Sequence, residues 1–136
     1  MKEYNEYGDR LVGYDVSVKA DICGYEDYNP ECFTCSMDKK DIFDNWSGVV
    51  PDDQLFLCYR PTQSALQKWL REKYKMNVYC EPTELEQYLV RVEMWEKYGG
   101  TRDFFATNIE DTYEMALEEG LNTALSIMIN EKENEK

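Results

Sequence analysis

The sequence predicts an α+β domain in which an antiparallel or mixed sheet of about four to five strands carries two main helices on one face. Three observations predict it. Residues 12–22 and 87–97 alternate side-chain character with the period of two of a strand. Residues 111–129 repeat apolar positions at helical spacing over four turns. Two helices with one apolar face each need a sheet to cover. The 136-residue length fits one domain, expected over 1–130 with a polar, frayed tail at 131–136.

Taken in order, Val12, Tyr14, Val16, Val18, Ala20 and Ile22 alternate with Gly13, Asp15, Ser17, Lys19 and Asp21, which predicts a half-buried strand. Residues 23–53 read as a long irregular loop punctuated by Asn29-Pro30, Ser47-Gly48 and Pro51-Asp52-Asp53, with one helical turn around Ile42, Phe43 and Trp46. Residues 54–59 read as a short buried strand. Arg60-Pro61-Thr62 then opens a helix whose stripe is Leu66, Trp69, Leu70 and Tyr74. Met76, Val78 and Cys80 mark a strand over 76–81. The stretch 83–98 has a Glu-rich, helix-compatible start, but its alternation favours a strand over 87–97. Gly99-Gly100 turns that strand back into another over 102–107. In the last helix Asp111 and Glu114 have capping-box spacing. Ala116, Gly120 and Ala124 lie on its apolar face and predict close packing; Gly120 costs about 1 kcal/mol relative to Ala, which such packing would explain.

Two segments carry a resemblance. The run RPTQSALQKWLREKY over 60–74 with MNVY over 76–79, and DTYEMALEEGLNTAL over 111–125, resemble segments of small hypothetical proteins encoded by phages and prophages of gut bacteria. Those proteins pair a PTQSxLQKWLRE helix and an ensuing strand with a C-terminal YEEALExGLxxAL helix. The resemblance covers residues 60–79 and 111–129. The family has no assigned activity, so no functional residue carries over. The resemblance implies a mobile-element origin, an intracellular setting and anti-defence roles, because small acidic phage proteins act as inhibitors, some by imitating DNA.

Charge is the largest anomaly of the composition. The net charge is −13, with 13 acids against 6 bases in residues 1–60, 6 of each in 61–100, and 9 against 3 in 101–136. Such a field repels nucleic-acid phosphates and anionic membranes and speeds encounter with basic proteins. Direct nucleic-acid binding and membrane association are therefore disfavoured. Aromatic residues at 14% argue against wholesale disorder. The polar opening, 1–10, is not expected to be a signal peptide, and no apolar run approaches the ~20 residues of a membrane helix. Five cysteines, an odd number, fit reduced thiols in the host cytoplasm better than a disulfide framework.

Cys32 and Cys35 form a C-x2-C pair, with Cys23 upstream and Cys58 or Cys80 as the fourth ligand of a weak zinc candidate. A second C-x2-C is lacking. Redox chemistry at Cys32 and Cys35 lacks the strand-to-helix context of thioredoxin-type motifs. The chain has no His, which removes the usual partner of a Ser or Cys nucleophile. Carboxylate pairs such as Asp52-Asp53 and Glu118-Glu119 are expected by chance among 28 acids. No catalytic residue and no cofactor is expected. The basic residues Lys68, Arg71, Lys73 and Lys75 balance charge within 61–100.

The acid–aromatic segments are the most suggestive feature. Tyr25, Glu26, Asp27, Tyr28 and Glu31, then Asp38, Asp41, Phe43, Asp44 and Trp46, set interface aromatics beside carboxylates that imitate phosphates in an Arg- and Lys-lined groove. The leading expectation is a phage-encoded acidic protein that inhibits a basic host protein of the nucleic-acid-binding or defence class. The alternatives are an accessory phage domain whose acidity serves solubility, and a small zinc module. Homo-oligomerisation is compatible with any of them.

Overall fold

The computed structural model describes residues 3–5, 7–26, 31–95, 99–105 and 109–134. The elements run α1 (Tyr14–Ile22), β1 (Cys32–Ser36), β2 (Ile42–Asn45), β3 (Gln54–Tyr59), α2 (Gln63–Tyr74), β4 (Met76–Pro82), β5 (Tyr88–Trp95), β6 (Thr101–Phe105) and α3 (Tyr113–Asn134). Among the described residues the strands form two antiparallel three-stranded sheets, ordered β2-β1-β3 and β4-β5-β6. The α+β class holds. The expected single sheet is two sheets, and a third helix joins the two expected ones.

The second sheet is built as its sequence suggests. Thr62 caps α2, its Oγ1 accepting the Ala65 N–H at 3.1 Å, an interaction worth about 1 kcal/mol. Lys75 ends the helix in the left-handed region, φ 57°, and returns its N–H to the Leu70 carbonyl. The chain then enters β4. Register pairs Met76 with Met94, Val78 with Val92 and Cys80 with Val90, so these side chains share one face. Leu66 and Leu70 of α2 and Leu117, Leu121 and Leu125 of α3 join them in the core, and both helices pack on this sheet. The cap of α3 differs from the expectation. Thr112 accepts the Met115 N–H at 3.1 Å, whereas Asp111 accepts from Gln87 Nε2 at 3.0 Å. Thr112 lies three residues before the donor, and Asp111 one residue too early. The helix extends to Asn134, into the stretch expected as a tail. Arg102 Nη2 meets Glu131 Oε1 at 2.7 Å in that last part.

The first third of the chain departs most from expectation. Residues 14–22 form a helix rather than a strand. Val12, Val16, Ala20 and Cys23 are buried; the first three lie four residues apart and make a single helical row. Tyr14, Val18 and Ile22 make a second row, also four apart, that is only half buried or exposed. Two such rows offset by two residues read as alternation. The loop expected over 23–53 contains β1 and β2, and no helical turn forms at 42–46. Residues 32–35 of β1 are all buried, so the central strand of this sheet shows no alternation.

The two halves are stitched at residues 10–13 and 60–63. Leu11 bridges Thr62, Val12 N–H donates to the Pro61 carbonyl, and Gln63 N–H to the Arg10 carbonyl. Arg60 is buried; its Nε donates to the Val12 carbonyl at 2.8 Å and its Nη1 pairs with Asp44 at 2.7 Å. Its guanidinium lies 5.0 Å from the centre of the Phe33 ring.

Gly120 lets α3 approach the second sheet. A Cβ there would stand 2.9 Å from Val78 Cγ1 and closer still to Val90 Cγ2. β-branched side chains have little rotamer freedom with which to yield. Gly120→Ala gains about 1 kcal/mol of helix propensity and loses about 1–3 kcal/mol to overpacking. The expected result is a net loss of stability in urea titration, larger for Gly120→Val. Stabilisation by Gly120→Ala would contradict the close approach.

Candidate interaction surface

The structure distributes the expected partner-binding residues over several environments. Tyr25 is a core residue, its ring 5.2 Å from that of Trp69 in an edge-on contact. Glu26 is exposed; Asp27 and Tyr28 lie outside the described residues. Glu31 is buried and its carbonyl accepts the Arg60 N–H. Asp44 is committed to Arg60. Asp38 and Asp41 are exposed in the β1–β2 turn. Hydrogen bonds from the Ser36 hydroxyl and the Lys40 N–H hold the Asp38 carboxyl below its usual range. Trp46 follows β2 at the opposite end, about 16 Å from Asp41 at strand rise. The exposed acids and Trp46 therefore flank one sheet instead of forming one cluster.

That sheet has two unlike faces. Phe33, Cys35 and Cys58 point inward, and Phe33 meets the Tyr14 ring of α1 edge-on at 5.3 Å. Register puts Thr34, Phe43 and Phe56 on the other face. Thr34 is fully buried between its neighbours, while Phe43 is 38% and Phe56 45% exposed. Phe43, Trp46, Val49, Pro51 and Gln54 line a shallow cavity of about 490 Å³. Trp46 is 57% and Val49 71% exposed. Turns carrying Asp38, Asp41, Asp52 and Asp53, with Lys39 and Lys40 among them, close one end of the sheet. Val49 lies in the loop between β2 and β3, where no periodic signal marks it, and Phe56 belongs to a segment that the sequence reads as a buried strand, although it is exposed here.

A second concavity of about 770 Å³ lies between α1 and α3. The helices run in the same direction. Glu118 Oε2 accepts the Gly13 N–H at 2.8 Å near their beginnings, and Cys23 lies against the Leu125 carbonyl near the end of α1. Gln63 Nε2 bridges the Glu114 carbonyl and Glu118 Oε1. Lys19 Nζ donates to Asn122 Oδ1 at 2.7 Å and Ser126 Oγ at 3.0 Å. Glu118 thus places a carboxylate at the positive end of α1, where Gly13 supplies no side-chain cap. In the sequence Glu118 is half of a chance pair; its role depends on a contact 105 residues away.

The weak zinc candidates are spread over separate elements. Cys32 and Cys35 stand three residues apart in strand β1, so they project from opposite faces. Among the described residues no group of three or more His, Cys, Asp or Glu side chains is arranged to hold a metal ion. Burial pushes the thiols of Cys23 and Cys32 up, that of Cys58 up to about 12 and that of Cys80 up to about 11. Near neutral pH these thiols are protonated and so poor nucleophiles.

Two outcomes are expected. Below about pH 8 both folded and unfolded states keep the Cys58 and Cys80 protons. As pH rises past the ordinary thiol value of 9.0 the unfolded chain loses protons that the folded chain keeps, so folding stability falls toward pH 11. Denaturant titrations from pH 7 to 10.5 should show that slope, reduced in Cys58→Ala; an unchanged slope in the variant would count against burial of this thiol. Asp44→Ala leaves the Arg60 charge buried without its carboxylate and should cost about 3–5 kcal/mol in the same assay, identifying Asp44 as a fold residue.

Comparison of the chain with protein-family models, with curated proteins and with solved structures finds no match.

Proposed function

We propose that the chain is a non-enzymatic, phage-encoded binding protein that blocks a basic host protein of the nucleic-acid-binding or anti-phage defence class. The observation that carries this reading is the outer face of the first sheet, where Phe43, Trp46, Val49 and Phe56 are exposed while turns bearing Asp38, Asp41, Asp52 and Asp53 close one end. Aromatic anchors supply contact area at small entropic cost, and flanking carboxylates draw in a basic partner and set its orientation. The net charge of −13 extends that attraction beyond the contact. The sequence resemblance to phage proteins supplies the setting, and imitation of DNA phosphates is the form of inhibition that the acidity favours. The buried, protonated thiols and the absence of His from the chain make catalysis by a nucleophile–base pair the weaker reading.

The experiment is capture of partners on immobilised protein from lysate of a bacterial host, repeated from 50 to about 500 mM salt, with release by double-stranded DNA. Basic nucleic-acid-binding proteins should be recovered at low salt, displaced by DNA, and lost from a Phe43→Ala/Trp46→Ala variant that keeps the wild-type melting curve. Recovery that ignores salt, DNA and these substitutions would overturn the reading.

A further inference from the structure

We infer that the α1–α3 groove docks a basic amphipathic helix of a partner protein. This surface is distinct from the outer face of the first sheet. The first observation is the second apolar row of α1. Val12, Val16 and Ala20 already seal this part of the core. Tyr14, Val18 and Ile22 form a further row that is only partly buried, Tyr14 resting against Phe33, and all three line the groove; Ile22 is 56% exposed. A helix that only covered a core would carry polar residues there. Across the groove, α3 contributes Met115, which is exposed, and Ile129.

The second observation is the charge around these apolar positions. Asp15, Glu110, Glu118 and Glu119 line the groove with Arg10 and Lys19 as its cations. Both cations have partners: Arg10 pairs with Glu3 at 3.1 Å, and Lys19 bonds Asn122 and Ser126. Asp15, Glu110 and Glu119 make no side-chain bond to any described residue. The groove therefore offers an apolar seam with unsatisfied negative charge on its flanks, and its complement is a helix with an apolar stripe bordered by Lys and Arg. Met115 to Ile129 spans about 21 Å at helical rise, room for about 14 residues or four turns. Strand or coil ligands fit less well, because the apolar row on α1 repeats every four residues and meshes with the ridges of another helix.

The test uses the full chain and a fluorescein-labelled 14-residue peptide with Leu at i, i+3, i+4, i+7 and i+11 and Lys or Arg elsewhere. Its controls are a peptide of identical composition whose scrambled order destroys the stripe, and the chain variants Ile22→Lys/Glu119→Lys and Asp52→Lys/Asp53→Lys. Fluorescence anisotropy should show the patterned peptide bound at least about tenfold more tightly than the scrambled one, a difference of about 1.4 kcal/mol. Ile22→Lys/Glu119→Lys should weaken it by at least about tenfold. Asp52→Lys/Asp53→Lys, with a larger charge change on another surface, should alter it by less than about threefold. Thermal melts confirm that both variants fold, and NMR shifts of the Ile22, Met115 and Ile129 methyl groups on titration locate the contact independently. Equal binding of both peptides, equal loss in both variants, or shifts confined to other methyl groups would overturn the inference.

Discussion

The buried guanidinium of Arg60 is the constraint around which the chain is arranged. It connects the segment ahead of α1 with the β1–β2 pair: the carbonyl of Val12, the carboxylate of Asp44 on β2 and the ring of Phe33 on β1. A charge taken out of water at this depth is tolerated only where its donors are engaged. Lysine could place a charge here but could not reach carbonyl and carboxylate from one planar group. Because Arg60 leads into α2 through Pro61 and Thr62, orientation of the first sheet and the start of α2 are fixed together. The bonds from Val12 to Pro61 and from Gln63 to Arg10 repeat that tie on the backbone.

Glu118 performs a corresponding task between helices. Its two oxygens receive the Gly13 N–H and the Gln63 amide, so α1, α2 and α3 meet at one carboxylate. Gly13 also leaves space: a Cβ there would stand 3.3 Å from Glu118 Oε2. Acidic residues in this chain thus divide into two groups. Glu118, Asp44, Asp38 and Glu131 hold specific donors, whereas Asp15, Asp21, Asp52, Asp53 and Glu119 make no side-chain bond to described residues. The first group serves the fold; the second carries charge that folding does not need and that self-repulsion makes slightly costly.

How much of this was legible in the sequence follows from where the signals were local. The stripes of α2 and α3 and the alternation in β4 and β5 each lie within a short window, and each of these elements is present, α3 running on to Asn134. Gly120 was legible as a close approach because its helical neighbours Ala116 and Ala124 are small. The failures fall where long-range packing decides the outcome. The rows 12/16/20 and 14/18/22 of α1 sum to perfect alternation, and its β-branched residues reinforce the strand reading until tertiary packing overrides it. Phe33 and Thr34 of β1 are both fully buried although they point to opposite faces, so β1 has no period to find. Asp44 looked like an exposed acid because its partner is 16 residues away, and Tyr25 like an interface aromatic because Trp69 is farther still.

The misread helix is also where fold and function meet. A strand over 12–22 would have spent every apolar residue on one sheet face and left nothing over. As a helix, the same residues supply more apolar surface than one core can bury, and the excess emerges beside α3. That surplus is not explained by stability, since an exposed Ile22 contributes little to folding while raising the risk of nonspecific association. Nor is it explained by solubility, which the unbonded carboxylates around it serve and Ile22 opposes. An apolar row kept at helical spacing, within reach of carboxylates that the fold leaves unpaired, is the combination that recognition of a basic helix requires. The same combination, apolar anchors with acids at their margins, recurs on the outer face of the first sheet, where the anchors are mostly aromatic and the spacing is that of a strand.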